Sequence, residues 1–349
     1  MRIIRHTAYA RAGLIGNPSD GYGGKTISFT FKNFAAQVVI YPWEQLEILG
    51  SAQDKSRFGS LDELVEDVEL NGYYGGVRLV KATVKRFAEH CRQMNIPLRG
   101  EPFSIRYQTG IPRGVGLSGS SAIVVATLRC LMDYYGVQLP QRVQPSLARA
   151  VENDDLGIAC GYQDRVVQVY GGLVYMDFSC MEMQDGYACG RYEPLDPALL
   201  PPIYLAYDVS ASKTSQSVHG PLRTRVQDNE QLRAKILRIA DLVPLVRVAL
   251  ETHDREALHQ LMNRNFDLRA SLYEIRPAHR LMIDTARSVG ASAKFAGSGG
   301  SIIGTFADEA TFDRLRDTLS AVNSNWRVIR PCLADAGPNS ESPAAESVR

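Results

Sequence analysis

Gly110-Ile-Pro-Arg-Gly-Val-Gly-Leu-Ser-Gly-Ser-Ser-Ala122 holds four glycines and three serines directly before an apolar run. The run from Ala122 to Tyr135 predicts a helix that ends at Gly136. The first turn of a helix offers unpaired backbone N–H groups and the positive end of a dipole, and glycines let a ligand approach that backbone closely. The stretch therefore predicts a cradle for an anion, most often phosphate. The alternative is a plain Gly/Ser loop before a core helix.

Two common nucleotide-binding loops fit this stretch poorly. Gly114-x-Gly116-x-x-Gly119 has the spacing of the dinucleotide fingerprint, but that fingerprint needs a buried parallel strand just before it. The preceding segment, Phe103-Ser-Ile-Arg-Tyr-Gln108, instead alternates apolar and polar residues, which predicts a strand with one wet face. The P-loop pattern is absent because no Gly-Lys-Ser/Thr follows the glycines. A nucleotide-sugar oxidoreductase stays open as an alternative that a test of NAD binding would close.

Length and composition limit the function. With 349 residues the chain exceeds what one core usually serves, so two domains are expected. A net charge of +1 gives no general attraction to nucleic acid or to acidic membranes, and no apolar run reaches membrane-spanning length. The six cysteines form no CxxC pattern, which favours reduced thiols in a cytoplasmic protein over disulfides or a zinc site.

The predicted domain boundary lies in residues 194–202, which contain four prolines. This places an N-terminal domain, which contains the predicted anion cradle, at 1–195 and a C-terminal domain at 196–333. Residues 334–349 are rich in Ala, Ser, Pro and Glu and hold almost no large apolar side chain. We therefore expect a disordered tail there.

Three further segments carry residues that suit ligand binding. The turn-rich loop from Arg11 to Lys25 contains Asn17 and Asp20, and loops at strand ends commonly hold binding groups. Glu152-Asn-Asp-Asp155 is ordinarily a wet surface or a helix end, although one carboxylate there could reach Mg²⁺ beside substrate phosphates. Residues 294–304 contain a glycine-rich turn that also suits a simple hairpin.

These segments resemble the motifs of the GHMP superfamily of sugar and metabolite kinases, which includes galactokinase, mevalonate kinase and homoserine kinase. The central stretch has the pattern Pro-x-x-x-Gly-Leu-x-x-Ser-Ser-Ala, the Arg11–Lys25 loop resembles the first motif, and residues 294–300 resemble the third. The resemblance implies an α+β protein with the two-domain GHMP kinase fold. Its N-terminal α/β domain would contain a left-handed βαβ unit, its C-terminal domain would be a ferredoxin-like α+β unit, and the active site would lie in the cleft between them.

The resemblance also assigns roles to single residues. Asp164 falls on the catalytic carboxylate, for which a helix cap or an ion pair with Arg165 is the alternative, and Arg11 falls beside the transferred phosphate. Ser121 and Glu152 would hold Mg²⁺, with Ser120 the substitute because this loop is one residue longer than that of mevalonate kinase. The implied nucleotide-binding residues are Pro112, Gly114, Gly116, Leu117, Ser118, Gly119, Ser120 and Ser121. The implied substrate-binding residues are Asn17, Asp20, Tyr22, Tyr74, Arg165 and Gly299.

The likeness narrows to the plant glucuronokinases in several segments, among them Gly72-Tyr-Tyr-Gly-Gly-Val-Arg-Leu79, Gln163-Asp-Arg-Val166 and Met262-Asn-x-Asn-Phe-Asp-Leu-Arg269. It implies ATP-dependent phosphorylation of D-glucuronate at the anomeric oxygen by a monomer or a homodimer. An acidic sugar needs a cation for its carboxylate, and Arg165 and Arg113 are both candidates. The same fold acting on mannose, galacturonate or a heptose phosphate is an alternative, as is a silent sensor of sugar and ATP.

Overall fold

The computed structural model describes residues 2–50, 75–98, 100–210 and 229–335. The ten strands within these ranges are β1 Ile4–Ile15, β2 Lys25–Pro42, β3 Glu47–Leu49, β4 Phe103–Thr109, β5 Leu173–Gln184, β6 Tyr187–Leu195, β7 Ile203–Asp208, β8 Lys294–Phe295, β9 Ser301–Thr305 and β10 Trp326–Ile329. The nine α-helices in the same ranges are α1 Gly76–Gln93, α2 Gly119–Tyr135, α3 Gln144–Ala150, α4 Gln163–Tyr170, α5 Glu230–Ala240, α6 Leu242–Glu251, α7 Arg255–Ala270, α8 Pro277–Ser288 and α9 Glu309–Val322.

The first sheet contains β1 to β6 in the order β3-β4-β2-β5-β6, with β1 paired to β2. Its pairings are antiparallel except that of β3 with β4, which is parallel. A parallel pair needs a crossover connection, and α1 lies in that connection. The expected βαβ unit is therefore present, while its hand stays a prediction.

The helix after the Gly/Ser stretch lies at the centre of this half. α2 is apolar around most of its circumference, and every residue from Ser121 to Leu131 is buried. Such a helix must be covered on all sides, and α2 packs against β1, β2 and α1. This fixes the position of its N-terminus, where the glycines and serines lie.

The second sheet is antiparallel, in the order β10-β7-β9-β8. Along the chain, α5 to α8 lie between its first and second strands, and α9 lies between its third and fourth. This is the β-α-β-β-α-β succession of ferredoxin-like folds. The expected ferredoxin-like α+β unit is confirmed.

The two sheets share an apolar core. The chain leaves the first sheet at Leu195 and enters the second at Ile203. Residues of α6 and α7 nevertheless belong to the same buried cluster as β1 and β2; they include Leu242, Val243, Val246, Leu250, Leu258 and Met262. The helices of the second half therefore pack directly on the first sheet.

The C-terminal segment returns to the first sheet. Ala334 is buried, and its N–H donates to the carbonyl of Thr30 in β2. The expected disordered tail therefore does not begin at Ala334, because this backbone is hydrogen-bonded to the sheet; residues 336–349 lie outside the described part. Among the described helices, none is both long and apolar enough to cross a bilayer.

Candidate active site

A cavity of about 840 Å³ lies where four loops meet. It is bordered by the loop after β1, by the Gly/Ser stretch before α2, by residues 158–165 before α4, and by the glycine-rich turn after β8. These segments lie far apart in the sequence, and the hydrogen bonds described below join them. The cavity is large enough for a nucleotide or a sugar-sized ligand, since ligand pockets span about 300–1,000 Å³.

The Gly/Ser stretch presents its backbone to the cavity. Gly114 and Gly116 both have φ of 71°, and Ser118 is also left-handed at 64°, immediately before α2 begins at Gly119. Positive φ favours glycine, which explains the composition of the stretch. The cavity is lined by seven of the eight predicted nucleotide-binding residues, namely Pro112, Gly114, Gly116, Leu117, Ser118, Gly119 and Ser120.

Ser121 is the exception, because its side chain faces the protein interior. It is fully buried, its hydroxyl donates to the carbonyl of Ser118 at 3.2 Å, and it does not line the cavity. Successive residues of an α-helix point about 100° apart, so Ser120 and Ser121 cannot both face the same ligand. The structure therefore favours Ser120, the substitute, over Ser121 on the cavity wall.

Asp164 and Arg11 form an ion pair at the cavity wall. Asp164 Oδ1 accepts from Arg11 Nε at 2.8 Å and lies 2.7 Å from Nη2. Both contacts fall on Oδ1, and Oδ2 lies 3.6 Å from Arg165 Nη1. Burial by itself would raise the pKa of Asp164, but the charges of Arg11 and Arg165 hold it below its usual value. Asp164 is therefore an ionised carboxylate whose Oδ1 is held by Arg11 and whose Oδ2 faces Arg165 at a longer distance.

Asp20, from the loop after β1, places its carboxylate against the N-terminus of α4, close to Asp164. Its Oδ2 accepts the backbone N–H groups of Tyr162 at 2.8 Å and Gln163 at 3.1 Å. Burial, together with the negative charge of Asp164, raises the pKa of Asp20. Asn17 and Tyr22 line the same region, and the amide oxygen of Asn17 is buried without a hydrogen-bond partner. Tyr74, also predicted to bind substrate, lies outside the described residues.

Glu152 occupies an irregular turn beside the cavity. The chain between α3 and α4 passes through a π-helical segment, Val151–Asp155, and such segments are frequent at functional sites. Glu152 is fully buried, and its Oε2 accepts from Arg165 Nε at 2.7 Å and from Nη2. Its Oε1 is buried with no partner.

Arg165 was a candidate for the substrate carboxylate, and its contacts argue against that role. Its guanidinium donates to Glu152 and, at 3.3 Å, to the carbonyl of Gly161. A guanidinium already paired with one buried carboxylate has little capacity to hold a second. Arg165 therefore positions Glu152 and flanks Asp164.

The glycine-rich turn after β8 is fitted against the Gly/Ser stretch. A Cβ on Gly297 would lie 2.1 Å from the carbonyl oxygen of Gly116, so only glycine fits. Ser301 Oγ donates to the carbonyl of Val115 at 2.6 Å, and Arg11 Nη1 donates to Gly116 O at 2.9 Å and Ala296 O at 2.8 Å. Arg11, from β1, thus links the Gly/Ser stretch and the glycine-rich turn after β8.

Gly299 does not line the cavity as expected; Gly297 and Ser298 do. A Cβ at Gly299 would point at the ring of His279, 2.9 Å away, so this residue faces α8 instead. The chain therefore turns away from the cavity directly after Ser298. In this turn, Gly297 and Ser298 therefore form the cavity wall in place of Gly299.

Three arginines of the cavity wall, Arg78, Arg149 and Arg269, are not among the candidates that the sequence offers. Arg269, from α7, is 2 % exposed, and Arg149, from α3, lies over the ring of Tyr162 at 4.5 Å from its centroid. Arg269 ends the Met262–Arg269 stretch that resembles the glucuronokinases, which was the only signal for it. Helical periodicity alone places it among polar surface positions.

Known proteins match the chain over most of its length. The model of the GHMP kinases N terminal domain matches residues 78–172, and that of the GHMP kinases C terminal domain matches residues 246–325. Glucuronokinase 1 of Arabidopsis thaliana is 44% identical over 307 residues, covering 86% of this chain and 84% of the relative. Probable glucuronokinase 2 of the same plant is 45% identical over 309 residues with the same coverage.

Solved structures share the fold at low sequence identity. Galactokinase of Lactococcus lactis, complexed with galactose, superposes with a TM-score of 0.74 at 16% identity, over 97% of this chain and 95% of that one. A mevalonate kinase superposes with a TM-score of 0.69 at 19% identity, over 95% and 99%. Both matches span the two halves of the chain, as do the two family models together. The chain belongs to the GHMP kinase family.

Proposed function

We propose that this protein is an ATP-dependent sugar kinase that converts D-glucuronate to D-glucuronate 1-phosphate. The proposal is supported by the 44% and 45% identity to plant proteins named glucuronokinases. The single observation that carries it is that the Asp164–Arg11 pair lines the same cavity as the Gly114–Ser120 loop. An acceptor hydroxyl and a nucleotide would meet there.

The nucleotide would bind along the Gly114–Ser120 loop. Left-handed glycines expose backbone N–H groups, and the N-terminus of α2 adds the positive end of a helix dipole. Phosphoryl transfer depends mainly on positioning and on neutralising charge, which a loop of this kind supplies. The oxidoreductase alternative is rejected. The dinucleotide fingerprint needs a parallel strand before the loop, but β4 pairs antiparallel with β2, and the chain belongs to the GHMP kinase family.

Asp164 would accept the proton of the attacking hydroxyl on Oδ2, the oxygen that Arg11 leaves available. The anomeric oxygen then forms a bond to the γ-phosphorus as the bond to the bridging oxygen of ATP breaks and ADP leaves. A carboxylate with a lowered pKa is a weak base. This suffices, because an anomeric hydroxyl is comparatively acidic and the transition state of phosphoryl transfer is loose.

Arg11 would stabilise the charge on the phosphoryl group in transit. Arg11 is 4 % exposed, and its guanidinium is fixed by the carbonyls of Gly116 and Ala296 as well as by Asp164. A donor held in this way needs no reorganisation as charge develops, which is the source of its catalytic effect.

The cavity has oxygen ligands that suit Mg²⁺. Glu152 Oε1 is buried and has no partner, and Ser120, at the start of α2, lines the same cavity. Mg²⁺ commonly takes one or two carboxylates together with substrate phosphates. Ser120 and Glu152 would hold the ion, and when bound it would neutralise phosphate charge.

Asp20, Asn17 and Tyr22 would bind the sugar hydroxyls. The carboxylate of Asp20 is fixed by two backbone N–H groups and lies near Asp164, which supports a hydrogen bond to a ring hydroxyl next to the reacting carbon. Binding by Tyr74, a cytoplasmic location, and a monomeric or homodimeric state remain part of this proposal.

A sugar panel with a coupled assay for ADP tests the function. We expect turnover with D-glucuronate to exceed that with D-galacturonate, D-mannose, D-glucose or a heptose phosphate, and the product to be stable to reducing-sugar reagents, as a 1-phosphate must be. Preference for another sugar would replace glucuronate within the same mechanism. Tight binding of ATP and sugar without ADP release would favour the sensor alternative.

A further inference from the structure

We propose that Arg269 is the residue that binds the carboxylate of the acceptor sugar, an inference that rests on the proposed function. Arg269 is 2 % exposed, lines the cavity and has no acidic residue within ion-pair distance among the residues described. An unpaired buried charge is costly, so such a group usually has an anionic partner. The partner here would be the ligand.

The contacts of Arg269 hold its guanidinium while leaving donors for a ligand. Nε donates to the hydroxyl of Tyr273, Nη1 donates to the carbonyl of Gly297 at 2.8 Å, and the group lies 5.0 Å from the centroid of the Phe295 ring. A guanidinium has five N–H groups, of which these contacts use two. The others, on Nη1 and Nη2, are those that bind a carboxylate through two parallel hydrogen bonds.

The position of Arg269 relative to Asp164 suits one sugar ring. Arg11, which holds Asp164, donates to the carbonyl of Ala296, and Arg269 donates to that of the next residue, Gly297. Consecutive Cα atoms are about 3.8 Å apart, so the two guanidinium groups contact neighbouring peptide units of one turn. In a pyranuronate, the anomeric carbon and the carbon bearing the carboxylate flank the ring oxygen, and one such ring would reach both groups.

Asn17 completes this part of the cavity. Its Nδ2 donates to the carbonyl of Phe295 at 3.3 Å, next to the ring on which Arg269 stacks. Its Oδ1 is buried without a partner and would accept a hydrogen bond from a sugar hydroxyl. Arg269 and Asn17 therefore form a cationic and polar subsite beside the proposed reaction centre.

The other cations of the cavity fit the carboxylate less well. Arg11 and Arg165 are paired with Asp164 and Glu152, and Arg113 belongs to the Gly/Ser stretch. Arg78, at the start of α1, also lines the cavity but is exposed, so water solvates its charge. Arg149 has no acidic partner within ion-pair distance among the residues described, but it is half-buried and stacked on Tyr162, so its charge is better solvated. Among these groups, Arg269 is both desolvated and unpaired.

The test combines a substitution with an uncharged substrate. Arg269→Gln, Arg149→Gln and Arg287→Gln would each be assayed in the full chain with D-glucuronate and with D-glucuronamide, which lacks the charge. Arg287 contacts the same helix, at the carbonyl of Asn263, without lining the cavity, and serves as the structural control.

We expect R269Q to lower kcat/KM for D-glucuronate by about 30-fold or more, mainly through KM, and to change that for D-glucuronamide and the KM for ATP by only a few-fold. Arg269→Lys should recover part of the preference for the acid. Undiminished preference for D-glucuronate in R269Q, or its loss in R149Q instead, would overturn the inference and leave the proposed function intact.

Failure of the proposed function can be told apart from failure of the inference. If the wild-type chain turned over no sugar acid, calorimetric titration with D-glucuronate would decide. Binding that R269Q abolishes and R287Q retains would support the carboxylate site in a protein that is not a glucuronokinase. No binding by the wild type would refute it.

Discussion

Asp164 and Asp20 share one cavity, and their surroundings move their pKa values in opposite directions. The charges of Arg11 and Arg165 outweigh burial at Asp164 and lower its pKa. At Asp20, burial and the nearby charge of Asp164 raise it. Divergent pKa values in neighbouring carboxylates commonly separate a group that works as an anion from one that hydrogen-bonds substrate.

The amide variant Asp164→Asn tests the base. Asparagine keeps the size of the side chain but cannot accept the proton, so we expect kcat to fall by about 100-fold or more. ATP affinity, measured by fluorescence or calorimetry, should change by only a few-fold. A kcat within a few-fold of wild type would exclude Asp164 as the base. In the wild type, the lowered pKa predicts that ionisation of Asp164 does not limit kcat down to about pH 5.

Asp20→Asn should stabilise the protein at neutral pH. Because the pKa of Asp20 is higher in the folded than in the unfolded state, the free energy of unfolding falls as pH rises through the interval between the two values. Asparagine removes that cost and can still accept the N–H groups of Tyr162 and Gln163. We expect circular dichroism to give a higher melting temperature for the variant than for the wild type at pH 7. This difference in melting temperature should shrink as the pH is lowered. A lower melting temperature at every pH would contradict this, and a raised KM for sugar is the expected functional cost.

Helix α2 begins with two serines that the structure treats differently. Ser120 lines the cavity, whereas the buried hydroxyl of Ser121 donates to Ser118. We expect Ser120→Ala to raise the Mg²⁺ concentration for half-maximal activity by about 10-fold or more, since even outer-shell partners of a metal are worth that much. Ser121→Ala is the matched variant and should leave the Mg²⁺ dependence unchanged. The reverse result would restore Ser121 as the ligand.

The contact between the Gly/Ser stretch and the turn after β8 depends on a glycine. A Cβ on Gly297 would meet Gly116 O at 2.1 Å and Arg11 Nη1 at 2.7 Å, so Gly297→Ala must push the two segments apart. Small displacements of reacting groups can cost about 100-fold, and we expect kcat/KM to fall by that order. Gly110→Ala, where a Cβ would meet nothing within 4 Å, should be nearly silent in the same assay. Equal activity of both variants would show that the contact is not needed.

At the scale of the whole molecule, the two sheets are joined by packed apolar side chains. α6 and α7 contribute to the same buried cluster as β1 and β2, and Val243 Cγ2 would lie 2.8 Å from a Cβ at position 16. Inter-domain interfaces of modest size permit relative motion, whereas a shared core resists it. The cavity therefore has walls that are fixed to one another.

Leu250→Ala tests that coupling. Leu250 is 1 % exposed, and truncating a buried leucine costs about 2–5 kcal/mol of unfolding free energy. Since the core is shared, we expect calorimetry to give one transition, for the wild type and for the variant, with the midpoint of the variant lowered as a whole. Two separate transitions, with only the later-melting or earlier-melting one shifted, would show that the halves unfold independently.

The sequence carried information where a local rule applies. The glycines and serines before α2, the turn-rich loop that ends at Lys25, and the glycine-rich turn in residues 294–300 are short-range patterns that backbone stereochemistry makes readable. They predicted the family, the ferredoxin-like second half and most of the cavity wall. Whether a side chain faces the cavity or the core was harder to predict, as Ser121 and Gly299 illustrate. Neighbouring residues at a helix start or in a tight turn point in different directions, so a shift of one position exchanges a cavity-facing residue for a buried one.

Taken alone, the sequence predicted, through its resemblance to known kinases, that the Gly/Ser stretch, Asp164 and the glycine-rich turn in residues 294–300 belong to one kinase fold. The tertiary structure decided which charges neutralise one another: Arg165 pairs with Glu152, Arg11 pairs with Asp164, and Arg269 has no acidic partner within ion-pair distance among the residues described. Pairing depends on distances of a few ångströms that the fold sets, even between residues 153 positions apart, such as the 2.8 Å from Arg11 to Asp164. Coulomb energies change steeply over such distances, and no local sequence pattern specifies them.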